Sequence, residues 1–109
     1  MKKAVYLILK NNTKALSIIE EIKNEGFNGT VLNSDSVRHF FEEYPEEHHF
    51  YTLRNYEKNQ IIESIMCLFI VDENKENKLK ELIRENTNHF KDINGAMFSV
   101  TLNDYEGSF

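Results

Sequence analysis

The chain has 109 residues, enough for one domain that buries a working core without metal or disulfide support. Hydrophobic residues are 40 % and charged residues 28 %; the net charge of −5, with no Lys/Arg cluster, argues against a nonspecific nucleic-acid binder. The single cysteine, Cys67, excludes an internal disulfide, and no apolar run approaches the ~20 residues of a membrane span.

The first element in chain order is a strand. Lys3 to Lys10 is a short, continuous apolar run with β-branched and aromatic members, which reads as a central strand. Met1-Lys2-Lys3 before it faintly mimics a signal peptide, but Ala4–Leu9 is too short and Lys10-Asn11 offers no small-residue cleavage site. The expectation is a cytosolic protein with a mature N-terminus. Asn11-Asn12-Thr13 supplies helix-capping side chains. Leu16, Ile19 and Ile22, with Ala15 and Ile18 beside them, then recur at helical spacing, and Gly26 ends the helix.

Gly29 to Asn33 reads as the second strand, and Asn33-Ser34-Asp35-Ser36 closes it with residues that bond the local backbone. A long insert follows, about 34–60. It opens with a short helix over Val37–Glu43 and meets a stop at Pro45. Glu46-Glu47-His48-His49 forms a charged tip, and Phe50–Tyr56 fits a strand, a short helix or a partner-docking patch. An insert of this length between strands marks a functional or mobile segment. Its aromatics, among them Phe40, Phe41, Tyr44, Phe50, Tyr51 and Tyr56, suit either a satellite core or interface anchors.

Gln60 to Val71 is the third strand and the most apolar segment, with Glu63 and Ser64 marking a solvated start. Asp72-Glu73-Asn74 caps a second helix, whose stripe is Leu79, Leu82, Ile83 and later Phe90. Asn94-Gly95 is a turn, Ala96–Leu102 alternates as a fourth strand, and a polar tail follows. Strand, helix, strand, insert, strand, helix, strand is the split β-α-β order. The fold class is α+β, a ferredoxin-like βαββαβ sandwich with both helices on one sheet face. Apolar residues on both sides of Ala4–Leu9 and Ile65–Val71 leave the other face in need of cover, most simply by oligomerisation.

Catalytic motifs are absent: there is no nucleophile elbow and no phosphate-binding Walker loop. A nonenzymatic protein is expected. Cys67, inside an apolar run, reads as a small buried hydrophobe. His39, His48 and His49 suggest a divalent-metal-binding trimer of copper-tolerance type as an alternative. Adjacent histidines point apart, however, and zinc sites need convergent ligands. A small ferredoxin-like enzyme or a structural module without ligand is the other alternative.

The segment order, the Gly29–Ser34 strand end, the long insert and the Asn94–Val100 opening of the last strand together resemble the nitrogen-regulatory PII-like proteins. The resemblance covers nearly the whole chain and is nearest to divergent members of unassigned role. It implies a homotrimer packed about a three-fold axis, with ligand clefts between subunits near the base of the insert and the turn before the last strand. It also implies a signalling role in which the insert touches a target protein. The family's best-known ligands are adenine nucleotides, with 2-oxoglutarate in the nitrogen sensors; other members bind different nucleotides or none known. The resemblance directs attention to Arg38, Arg54 and Lys91 as cations near the cleft, to Asn33 and Ser34 at the strand end, and to Gly95 in the turn. The chain lacks the Gly-x-Gly-Lys turn of the nitrogen sensors and their C-terminal arginine pair, which are the donors that hold a triphosphate. The cofactor therefore stays unknown.

Overall fold

A computed structural model of the chain describes residues 1–43 and 63–107. Pro45, His48, His49, Phe50–Tyr56 and the Gln60 start assigned to the third strand lie outside the described residues. The elements are β1 (Lys2–Lys10), α1 (Thr13–Asn24), β2 (Thr30–Ser34), α2 (Val37–Glu43), β3 (Ser64–Asp72), α3 (Glu73–Thr87) and β4 (Gly95–Leu102). The strands form one four-stranded sheet in the order β2-β3-β1-β4, antiparallel at every pairing. This architecture is α+β and compatible with a ferredoxin-like fold.

Register explains the layering. One rung aligns Val31, Cys67, Leu7 and Met97, and its side chains share a face with Val5, Leu9, Ile65, Phe69 and Val71. Of these, Val5, Leu7, Leu9, Ile65, Cys67, Phe69 and Val71 join Ala15, Ile18 and Ile22 of α1 and Leu79 and Ile83 of α3 in one buried core, with Met97 partly buried against it, while Val31 at the sheet edge stays exposed. Alternation along each strand sends the intervening residues to the opposite face. There, Leu32, Met66, Ile8 and Ala96 align in one rung and Thr30, Leu68, Tyr6 and Phe98 in the next. Tyr6 and Phe98 stack with ring centroids 4.7 Å apart. Helices α1 and α3 leave this face uncovered, and on it Leu32, Phe98 and Val100 remain 46 %, 48 % and 44 % exposed. The apolar second face expected from the sequence is therefore present.

Helix α1 starts where the Asn12 side-chain oxygen accepts from the Ala15 N–H at 3.0 Å, satisfying one orphan donor of the first turn. It ends at Gly26, whose φ of +95° suits a residue without Cβ. The buried stripe is Ala15, Ile18 and Ile22. Leu16, read as part of that stripe, is 61 % exposed instead. The sequence period fitted either neighbouring row, and only the packing against α3 chooses between them.

Helix α3 departs from the sequence reading at both ends. Asp72 occupies the N-cap position but makes no side-chain cap bond. Its carboxylate pairs with the Lys2 ammonium at 2.8 Å. The Lys2 hydrogen bond and charge hold the Asp72 carboxyl below its ordinary range. Phe90, counted in the helical stripe, lies beyond the helix. Asn88, His89 and Phe90 all take positive φ, at 50°, 55° and 60°, and this left-handed turn swings the Phe90 ring back against the core. Non-glycine residues pay roughly 1–2 kcal/mol each for such backbone, Asn least. Thr87, fully buried, clamps the turn: its hydroxyl donates to the Ile83 carbonyl at 2.7 Å and accepts from the Phe90 N–H at 3.1 Å. Thr87→Val keeps the shape and removes the acceptor. We expect it to lower unfolding free energy by about 1–3 kcal/mol in urea titration, the cost of an unsatisfied buried N–H. An unchanged midpoint would mean that the clamp is dispensable.

Strand β4 is sealed to α3 by polar groups. Ser99, opposite Val5 on the core face, hydrogen-bonds the Glu76 carboxylate, which also meets the Lys80 ammonium at 3.1 Å. Lys3 Nζ donates to Thr101 Oγ1 at 2.6 Å on the same strand. The Ser99 hydrogen bond, followed by Lys80, depresses the Glu76 pKa. A depressed folded-state pKa adds stability above the unfolded pKa and loses it as pH falls through the folded one. Stability should thus decline on acidification below the ordinary glutamate range. Glu76→Gln should start about 0.5–1 kcal/mol less stable at neutral pH and show a shallower acid decline. Parallel slopes for the two proteins in pH-resolved denaturation would remove Glu76 from the acid response.

Candidate functional site

The strand pairings end together at one edge of the sheet. Ser34 faces Ser64, Lys10 faces Ser64, and Leu9 faces Gly95. Beyond these last rungs lies a cleft of about 680 Å³. Ser34 and Asp35 contribute from the end of β2, Ser36 and Arg38 from the start of α2, and Glu63 and Ser64 from the start of β3. Lys10 closes it from β1 and Asn94-Gly95 from the turn into β4, while Ile8 and Met66 form an apolar part of the lining.

Hydrogen bonds fix this frame. The Ser34 and Ser64 hydroxyls lie 2.6 Å apart and bond each other. Ser36 Oγ donates to Glu63 Oε2 at 3.1 Å, and the Ser36 N–H donates to Asp35 Oδ1 at 2.9 Å. The Lys10 N–H donates to the Asn94 carbonyl and the Asn11 N–H to the Glu63 carbonyl, both at 2.9 Å. Both neighbours of β1 are thereby tied to its end, on backbone that side-chain substitutions leave in place. Gly95 is required by contact rather than by a ligand: a Cβ there would sit 2.2 Å from the Ile8 carbonyl oxygen.

The residues singled out in the sequence divide accordingly. Ser34, Arg38 and Gly95 share the cleft. Asn33 alternates to the other sheet face, opposite Ile65, and lines an adjoining pocket with Phe40 and Phe41 of α2 that shares Ser34, Asp35 and Ser36 with the cleft. Lys91 sits in the turn after α3, where its N–H donates to the Asn88 carbonyl, and it is not among the residues lining the cleft. Arg54, His48 and His49 are outside the described residues. Among the described residues, no three His, Cys, Asp or Glu side chains converge as a metal site. Cys67 is buried, and burial pushes its thiol up to about 11, so it is a neutral packing group at neutral pH.

Sequence reasoning missed Lys10, Glu63, Ser64 and the apolar pair Ile8 and Met66. The polar break Glu63-Ser64 at the head of the third strand was the available signal. Its relation to Ser34 depends on strand register, which no local pattern discloses. No protein-family model matches this chain, and no curated protein does. Its assignment therefore rests on the fold and on this cleft.

No helix among the described residues is long and apolar enough to cross a membrane.

Proposed function

We propose that this chain is a PII-like regulatory protein of the cytoplasm, nonenzymatic and assembled as a homotrimer. It senses a small anionic metabolite or nucleotide and reports the bound state to a target protein through the 34–60 insert. One observation carries the reading. The cleft collects the end of β2, the start of α2 and the turn into β4, and its mouth is bounded by Ser36 and Glu63, on either side of the insert's central stretch. A ligand held by Ser34 and Arg38 would touch the segments that enter and leave that stretch. An Arg fork suits bidentate recognition of a carboxylate or phosphate. The uncovered apolar face, running up to the cleft through Ile8 and Met66, supports assembly and would let a neighbouring subunit complete the cleft.

Native mass spectrometry of the purified protein, alone and with ATP, ADP and 2-oxoglutarate, tests the proposal. A trimer that carries one of these ligands, and loses it on Arg38→Gln, supports it. A monomer that retains none of them would sink it.

A further inference from the structure

Strand β4 is an edge of the sheet, on the side remote from β2 and α2, and among the described residues no strand pairs with its outer side. Sheet edges are normally blunted by shortness, charge, proline or a bulge, because their unpaired N–H and C=O groups accept another strand. Strand β4 carries none of these devices. It runs eight residues, Gly95–Leu102, without a charged residue or a proline. Its register with β1 is unbroken from Gly95 to Leu102. The other edge, β2, runs only five residues.

The bonding phase of β4 follows from the rung just before it. Lys10 and Asn94 stand opposite each other where the register with β1 continues, and the Lys10 N–H donates to the Asn94 carbonyl at 2.9 Å. Bonded and non-bonded pairs alternate along an antiparallel ladder. Ala96, Phe98, Val100 and Leu102 therefore turn their backbone groups toward β1. Gly95, Met97, Ser99 and Thr101 turn theirs outward. On the uncovered face, the Phe98 ring is held by its stack on Tyr6 yet stays half exposed, as does Val100.

We propose that β4 pairs antiparallel with the β4 of a second copy, across a two-fold axis at Phe98. This register sets Gly95 opposite Thr101 and Met97 opposite Ser99, so every outward N–H and C=O of the strand gains a partner. It sets Phe98 against Phe98 of the second copy and Ala96 against Val100, apolar on apolar along one face. An axis at Ser99 would instead leave Gly95 opposite Asn103, beyond the strand. Charge selects a second copy as the occupant. At −5, two chains repel wherever carboxylates meet, and β4 brings only uncharged residues to the contact. The contact goes beyond the effector reading and needs no ligand. It doubles whatever unit the uncovered face assembles: a dimer where the edge acts alone, a hexamer where trimers also form.

Hydrogen exchange of the full chain, read by NMR at concentrations above and below its self-association, tests the pairing. The Met97, Ser99 and Thr101 amides should be protected in the concentrated sample and exchange at least about tenfold faster on dilution. The Phe98 and Val100 amides, bonded to β1, should stay protected in both. Sedimentation should give an even number of copies. Thr101→Pro removes an outward N–H that the single chain does not use, and should weaken association at least about tenfold while the far-ultraviolet spectrum is kept. Thr101→Val loses the Lys3 hydrogen bond but keeps the N–H, and should associate as the unaltered chain does. The exchange pattern of the unaltered chain stands even where the proline variant fails to fold. A trimer whose Ser99 and Thr101 amides exchange freely would keep the trimeric reading and overturn the edge pairing. A chain that stays monomeric at every concentration would overturn both.

Discussion

Phe98→Asp combined with Val100→Asp is expected to give a monomer that keeps its fold, where the unaltered chain is expected to self-associate. Both side chains stand on the face that α1 and α3 leave uncovered, and each is nearly half exposed in the single chain. A charge at these positions costs little while the face is wet. It becomes expensive once a second copy removes the water, because an unpaired charge in an apolar interface carries several kcal/mol of desolvation. The same face presents Leu68, Ile70 and Met66 from β3 and Tyr6 and Ile8 from β1, a contiguous apolar surface of a kind seldom left open. Sedimentation should show the unaltered chain as an oligomer and the double variant as a monomer with an unchanged far-ultraviolet spectrum. Loss of the Tyr6–Phe98 stack removes about 0.5–1.5 kcal/mol at most, too little to unfold an ordinary domain. An unaltered chain that sediments as a monomer would leave the face without a homotypic partner.

Gly95→Ala will destabilise the protein by about 2–3 kcal/mol, as overpacking against backbone does when no flexible side chain can give way. The added Cβ would lie 2.2 Å from the Ile8 carbonyl oxygen and 3.1 Å from Leu9 Cδ2. Strand β4 would have to move away from β1 at its first rung, where Gly95 faces Leu9. That rung borders the cleft, so ligand affinity should fall together with stability. Gly29→Ala provides a control away from the cleft: its Cβ would meet the Leu68 carbonyl oxygen at 2.3 Å. A comparable loss of stability at Gly29 with ligand affinity retained would separate the two effects. A Gly95→Ala melt within a degree of the unaltered chain would mean that β4 shifts at no cost.

Much of the architecture is visible in the sequence because it rests on local periodicity. The apolar runs at Ala4–Leu9 and Ile65–Val71 mark the two central strands, which are paired along both edges. Asn12 and Gly26 bracket α1 through capping chemistry that needs no tertiary information. What escaped depends on partners distant in the chain. Leu16 and Ile18 lie on different faces of α1, and packing buries the face of Ala15, Ile18 and Ile22 while Leu16 stays exposed. Phe90 continues a helical period on paper, yet Thr87 captures its N–H and the helix ends first. Asp72 has the composition of a cap but is drawn to Lys2, its partner across β1 and β3. The cleft was half visible. Ser34, Arg38 and Gly95 belong to segments whose turn chemistry is local, whereas Lys10, Glu63 and Ser64 reach it only through strand register.

The strand order β2-β3-β1-β4 bears on how the polypeptide is made. Strands β1 and β2, both made before β3, do not pair with each other: β3 lies between them. The amino-terminal β1-α1-β2 unit therefore has no sheet of its own to form while it waits. Its most apolar strand hydrogen-bonds only to segments synthesised more than fifty residues later, Leu7 to the rungs of Cys67 and Met97. Such distant pairings make for slow folding, because chain closure precedes the contacts that reward it. During translation Val5, Leu7 and Leu9 remain an unclaimed apolar segment until β3 emerges. That interval ends when β3 slots between the two earlier strands.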